Sequence, residues 1–253
     1  MLRFASLGSG SKGNATLLEV GDTRFLLDCG FSVRETERRL DRLGLSAEDL
    51  QGILVTHEHG DHIRGVAALS RKYRLPVWLT AGTLRATSDS DFHHTHIIHA
   101  HENFSVGECL IEPFPVPHDA SEPCQYVFSD GERRLGILTD TGSLTPHIER
   151  MLNGVHGLLL ECNYDSDMLE QGPYPPSLKR RVGGRYGHLA NDQAAALLQR
   201  LDLSQLDCLI GMHVSENNNT PELAFAALDA NLEQRPATLM VACQQDGFDW
   251  LVL

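Results

Sequence analysis

The sequence predicts a layered α/β sandwich built as one domain over residues 1–253, and three observations carry that prediction. Short apolar runs of strand length alternate with segments of helical period through both halves of the chain. No linker-like interval separates the halves. Where an apolar run gives way to a loop, the next side chain is repeatedly one that can bind a metal or move a proton, so such loops should gather along one sheet edge.

Composition sets the outer bounds. At 42% hydrophobic and 22% charged residues the chain has the means for a buried core. Its 21 basic and 34 acidic side chains leave a formal charge of −13, which argues against broad affinity for nucleic acid or anionic membrane but not against a local cationic site. Six cysteines (Cys29, Cys109, Cys124, Cys162, Cys208 and Cys243) form no C-x-x-C pair, and most stand in apolar runs. That pattern reads as buried free thiols in a reducing compartment. No basic-then-apolar leader opens the sequence, and no apolar run approaches the ~20 residues that span a bilayer. A cytoplasmic protein without a membrane partner is the expectation.

Residues 2–6 read as a strand, followed by the loop Leu7-Gly8-Ser9-Gly10-Ser11-Lys12-Gly13-Asn14. Three glycines and small polar groups there either cradle an anion with backbone N–H groups or make a flexible connection. Strands at 15–20 and 23–28 flank the turn Gly21-Asp22, and the second ends in Asp28, a carboxylate that could orient a metal-bound imidazole. Ser32-Val33-Arg34-Glu35 is a capping box for a helix that runs to Gly44. The strand at 52–56 lacks polar alternation and should be buried on both faces.

Directly after that strand comes Thr56-His57-Glu58-His59-Gly60-Asp61-His62, and a helix is expected from Ile63. His57 and His59 lie two apart in extended chain and share a direction, while Asp61 and His62 open the helix. Four ligands packed so closely do not readily wrap one tetrahedral ion, so two neighbouring metals are indicated.

Further on, a strand at 76–80 precedes His93, His94, His96, His99 and His101, which lack a carboxylate at usable spacing and suit an exposed edge strand. Strands follow at 109–114, 124–128 and 135–138, then a helix at 144–152 and a strand at 157–161. His118 and Asp140 each sit where one of these strands ends. Between 171 and 191 three prolines should break regular structure, and Lys179, Arg180, Arg181 and Arg185 occur without a carboxylate. Those cations form either a positive floor for a polyanion or a solvated helix face. A helix at 194–201, a strand at 208–212 that delivers His213, a helix capped by Thr220-Pro221-Glu222, and strands at 237–243 and 250–253 complete the chain. The coordinating candidates are therefore His57, His59, Asp61, His62, His118, Asp140 and His213.

With H-x-H-x-D-H after a strand, a later His, an Asp in T-D-T-G and a final His, the chain resembles the metallo-β-lactamase superfamily. The resemblance implies a four-layer αββα sandwich. It also implies one metal on His57, His59 and His118, a second on Asp61, His62 and His213, and Asp140 between them. The segments Gly8–Asn14, Pro117-His118-Asp119-Ala120, Glu161-Cys162-Asn163-Tyr164-Asp165, Gly187-His188-Leu189-Ala190-Asn191 and Ser215-Glu216-Asn217-Asn218 are similar to the YycJ/WalJ group, regarded as DNA exonucleases of 5′ to 3′ polarity. Tyr164 stands where that group has a histidine, and Ala190 where it has a serine.

Nitrogen and oxygen ligands suit Zn²⁺ at the three-histidine site and Zn²⁺ or Mn²⁺ at the other. The expectation is a two-metal phosphodiesterase whose bridging hydroxide attacks phosphorus, with Asp61 orienting it. His188 either protonates the leaving oxygen, grips the phosphate or is simply bonded to backbone. Expected substrate contacts are Ser9, Ser11, Asn14, Asn163, Asn191 and the four cations. Candidate partners are DNA, a second copy of the chain and a recruiting protein. A small-molecule hydrolase acting on a thioester, lactone or cyclic phosphodiester is the rival reading, and a scaffold with a dead site a third.

Overall fold

The computed structural model describes residues 1–230, 232 and 234–253 as two facing seven-stranded sheets clad by helices. The first sheet holds β1 (Leu2–Gly8), β2 (Ala15–Val20), β3 (Thr23–Leu27), β4 (Gly52–Leu54), β5 (Pro76–Thr80) and β6 (His94–Ile98), with β14 (Phe248–Val252) outside β1. The second runs from β7 (Phe104–Val106) through β8 (Cys109–Pro115), β9 (Cys124–Ser129), β10 (Arg134–Leu138), β11 (Gly157–Glu161) and β12 (Cys208–Met212) to β13 (Thr238–Val241). The helices are α1 (Val33–Arg42), α2 (Gly60–Ile63), α3 (Val66–Tyr73), α4 (Ala81–Ala86), α5 (Pro146–Leu152), α6 (Ser166–Gln171), α7 (Pro176–Val182), α8 (Asn191–Leu198) and α9 (Pro221–Asp229).

The central strands are largely apolar because the middle of each sheet is buried on both faces, and the two-residue repeat sorts their side chains into different cores. Leu2, Phe4, Leu18, Phe25 and Leu54 point inward to meet Ile111, Tyr126, Phe128, Leu159 and Ile210 between the sheets. Ala5, Leu17, Leu26 and Ile53 point outward to Leu40, Val66 and Leu69. On the far side Leu158, Leu160 and Leu209 meet Ile148, Leu152, Ala194 and Leu228. Cores between successive layers make this the four-layer αββα sandwich expected.

Parallel pairing positions the site. β3 pairs parallel with β4, and β10, β11 and β12 pair parallel with one another, so the carboxyl ends of both groups lie at one edge. Asp28, the His57 turn, Asp140, Glu161 and His213 all stand at or just beyond those ends.

Several elements differ from the sequence expectation. β1 continues two residues further, to Gly8, because the start of the glycine loop still pairs with β2. The helix after the His57 motif is two short helices, α2 and α3, with Gly65 at the break. α4, β7 and α6 emerge from stretches that showed no clear period; Thr80 and Asp165 cap α4 and α6. The prolines of 173–176 do not abolish regular structure: Pro176 opens α7 at the first helical position, where its fixed φ fits and no N–H is needed. α8 begins three residues earlier than expected, at Asn191, where the Gln193 side chain accepts from the Ala190 N–H at 2.9 Å. Of the five histidines from 93 to 101, His94 and His96 lie in an edge strand, β6, and His93, His99 and His101 lie outside it. Cys29, Cys109, Cys124, Cys162 and Cys208 are buried free thiols, while Cys243 is exposed. Among the described residues no helix is long and apolar enough to cross a membrane.

Gly30 marks the closest approach of the first sheet to the motif turn: a Cβ added there would lie 1.8 Å from the Asp61 carbonyl oxygen. Gly30→Ala should therefore destabilise the metal-free protein by about 2 kcal/mol, read as a lower urea midpoint at unchanged slope.

Candidate metal centre

The carboxylate of Asp28 organises the turn that follows β4. The Thr56 N–H donates to its Oδ1 at 2.8 Å, and the Thr56 hydroxyl donates to its Oδ2 at 2.8 Å. His62 Nδ1–H donates to the same Oδ2 at 2.7 Å. Because the Thr56 hydroxyl proton is committed to Asp28, its oxygen accepts from His57 Nδ1–H at 2.9 Å. Both rings thereby keep a hydrogen on Nδ1, so that Nε2 is the nitrogen each can offer a metal. Two further histidines are set by carbonyl groups: His59 Nε2–H donates to Asp119 O at 3.2 Å, and His118 Nδ1–H donates to Gly187 O at 2.9 Å.

These bonds aim the remaining nitrogens at one another. His59 Nδ1 and His118 Nε2 stand 3.1 Å apart, and the rings of His57, His59 and His118 lie 4.6 to 4.9 Å from each other. Two lone pairs facing at that distance repel unless a cation lies between them; ligand nitrogens on one tetrahedral zinc stand about 3.3 Å apart. His57 Nε2 and Asp140 Oδ2 are buried with no hydrogen-bond partner. In a second group, Asp61 Oδ2 is 3.3 Å from His213 Nε2 and 3.5 Å from His62 Nε2. Asp140 Oδ2 is 3.1 Å from His62 Nε2 and joins His57 and His62 in a third cluster. In each grouping the candidate ligand atoms fall within 4.8 Å of one another. All seven coordinating candidates converge, and the donor set fits divalent cations.

Charge and burial act in opposite senses across the cluster. Burial pushes His57 and His118 below the ordinary imidazole range. Burial also disfavours the charged forms of His62 and His213, but surrounding carboxylates outweigh it: Asp140, Asp28 and Asp61 hold His62 well above its usual value, and Asp140, Asp61 and Glu161 bring His213 to about 10. Although burial opposes it, the neighbouring imidazoles keep Asp61 and Asp140 well below the carboxylate range.

The backbone is held in costly conformations at the same places. Among the described residues, the non-glycines with positive φ are Arg74 and three residues of the site, Asp28 (61°), Asp140 (49°) and His213 (53°). Each left-handed residue costs of order 1–3 kcal/mol, which the surrounding bonds must offset.

Glu161, fully buried at the end of β11, was not among the sequence candidates. It accepts from His188 Nδ1–H at 2.8 Å and from the Thr141 N–H at 2.9 Å, and lies 3.4 Å from His213 Nδ1. The signal was present, since Glu161 ends an apolar strand as Asp28 does. His188 ring nitrogen Nδ1 is also 3.4 Å from Asp140 Oδ1, so this residue joins the cluster.

The expected substrate contacts divide into two sets. Ser9 accepts from the His213 N–H at 2.8 Å, Asn14 lies 3.1 Å from His62 Nε2 and 3.3 Å from Asp61 Oδ2, and Asn163 donates to His213 O at 2.9 Å. These three brace the cluster. Asn191 is buried in a reciprocal pair with Asn219. Ser11, Arg180 and Arg185 are exposed; Lys179 bonds the Glu170 carbonyl, and Arg181 pairs with Asp119 at 2.6 Å.

Three outcomes follow. Asp28→Asn should weaken metal binding about 10–100-fold in chelator competition, because both rings lose their fixed tautomer. The raised values of His62 and His213 stabilise the metal-free fold fully below an ordinary imidazole value of about 6.5, and that contribution is lost as pH rises towards about 10. The melting temperature of the metal-free protein should accordingly fall over that window. Metal loading at pH 7 should release protons, measurable by titration calorimetry in buffers of different ionisation enthalpy.

Comparison with known proteins agrees with this geometry. Residues 23–213 match the family described as the beta-lactamase superfamily domain. The Bacillus anthracis protein named exodeoxyribonuclease YycJ is 35% identical over 242 residues, covering 92% of this chain and 90% of that protein. The Streptococcus pneumoniae protein named exodeoxyribonuclease WalJ is 34% identical over 239 residues, covering 92% and 88%. The crystal structure of the metallo-beta-lactamase fold protein YhfI from Bacillus subtilis superposes with a TM-score of 0.76 at 15% identity, over 99% of this chain and 98% of that one. With its two stacked sheets, its edge cluster of imidazoles and carboxylates and relatives that match nearly end to end, this chain belongs to the beta-lactamase superfamily, as a hydrolase of the metallo-β-lactamase fold.

Proposed function

We propose that the chain is a two-metal phosphodiesterase that removes nucleotides from DNA in the 5′ to 3′ direction, working in the cytoplasm as one hydrolase domain. The observation that carries this reading is the convergence of two ligand groups, His57/His59/His118 and Asp61/His62/His213, with Asp140 beside both. Relatives named exodeoxyribonuclease over nearly their whole length support the choice of DNA.

When bound there, Zn²⁺ at the three-histidine group and Zn²⁺ or Mn²⁺ at the other would supply Lewis acidity and lower the pKa of water. The chain's own groups account for the rest. Asp61, its side chain 23% exposed, is more open than Asp28 at 4% or Asp140 at 2%, and so can orient an incoming water. His188 gives its Nδ1–H to Glu161 and is 21% exposed, which leaves Nε2 outside that bond on a partly open side chain. A proton on Nε2 would pass to the leaving oxygen, and the Glu161 carboxylate would stabilise the charged ring that carries it. Glu161 thus acts as a positioning residue.

The −13 chain must admit a polyanion. Exposed Arg180, on α7, and exposed Arg185, three residues before His188, have no ion pair among the described residues, whereas Asp119 offsets Arg181. That is a small cationic footprint, suited to an end rather than to a long track of duplex.

The test supplies metal-loaded protein with 5′-labelled duplex DNA, single-stranded DNA, RNA, a thioester and a lactone in parallel, with His59→Ala and Asp140→Ala as controls. Mononucleotide release from the 5′ end of DNA, absent in both controls, is the expected result. Turnover of the thioester or lactone with DNA left intact would overturn the reading. His188→Ala should lower kcat by about 10²–10⁴-fold while metal content is unchanged.

A further inference from the structure

A cavity of about 690 Å³ opens beside the metal cluster, with walls from the loops that carry His118, Asp140 and His188. Hydrogen bonds tie those loops together: the Gly142 N–H donates to Pro117 O at 2.8 Å, the Ser143 hydroxyl to Arg185 O at 3.0 Å, and the Asp119 N–H to Tyr186 O at 2.9 Å. The cavity is therefore a fixed extension of the site, within the size range of small-ligand pockets.

Its chemistry runs against the charge of the chain. His101, His147, Arg150 and Arg185 line it, and no Asp or Glu does. Arg150 Nη2 donates to His147 Nδ1 at 2.8 Å. A guanidinium cannot accept, so Nδ1 is the acceptor and the neutral ring carries its hydrogen on Nε2. That Nε2–H is buried and meets no acceptor. Neither Arg150 nor Arg185 enters an ion pair among the described residues. On the same wall Tyr186 is 63% exposed, a large apolar surface on a backbone that is otherwise pinned, with Leu144 beside it.

We propose that this cavity seats one nucleotide of the substrate strand, with its phosphate held by Arg150 and Arg185 and its base against Tyr186 and Leu144. The unmatched donors call for an anionic oxygen, and an exposed ring accepts any base because every base has a π-face. The proposal rests on the phosphodiesterase reading above and adds to it a place for a single nucleotide, which favours action at a strand end.

The experiment is an equilibrium titration of metal-loaded protein with dAMP, deoxyadenosine and inorganic phosphate, repeated on Arg150→Ala and Tyr186→Ala. The expected result is dAMP bound at least tenfold more tightly than either fragment. It should weaken at least tenfold in Arg150→Ala and about fivefold in Tyr186→Ala, with phosphate binding to the Tyr186 variant unchanged. If dAMP binds no more tightly than phosphate, or as tightly to both variants as to the unaltered protein, the metals alone hold it and the proposal is overturned. DNA digestion alongside unaltered dAMP affinity in the variants removes the subsite and spares the nuclease reading. Variant-sensitive dAMP binding by a protein that leaves DNA intact does the reverse.

Discussion

Everything at the sheet edge depends on one buried carboxylate in a left-handed turn. Asp28 closes β3 at φ 61° and holds Thr56 through both backbone and hydroxyl, and His62 directly. Through Thr56 it also fixes His57. The first sheet thereby delivers two imidazoles with their free nitrogens already aimed, and Asn14 and Ser9 from the glycine loop brace Asp61, His62 and His213 behind them. The strand pairing makes this possible: because β3 and β4 run parallel, the end of one lies beside the end of the other.

The second sheet answers with the same device. Glu161 at the end of β11 ties the Asp140 turn, through Thr141, to His188 and His213. Two buried carboxylates, one per sheet, orient the histidines that meet between them. The consequence is a dense set of nitrogen and oxygen ligands facing inward, in which protons on His62 and His213 balance the carboxylates of the metal-free chain and cations can take the place of those protons.

Much of this was legible in the sequence because it is local. The H-x-H-x-D-H spacing, the ligand-type residue after each apolar run and the two-residue repeat all survive without knowledge of the partners. The seven coordinating candidates could be listed for that reason. What escaped depends on contacts between distant segments. The Arg181 cation is offset by Asp119, 62 positions away, and Asn191 pairs with Asn219 across 28. The tautomers of His59 and His118 rest on carbonyls of other loops, and those of His62 and His188 on distant carboxylates. α4 and α6 are single-turn-scale helices fixed by caps rather than by period, and Pro176 was read as a breaker where it is a starter.

The account stands or falls on whether two cations share this edge. Metal analysis of the purified protein, joined to anomalous diffraction from its crystals, measures that directly. The account expects two ions per chain about 3.5–4 Å apart, one within bonding distance of His57, His59 and His118 and the other of Asp61, His62 and His213, with Asp140 touching both. One ion or none, with His118, Asp140 and His213 lying clear of the first cluster, would contradict it.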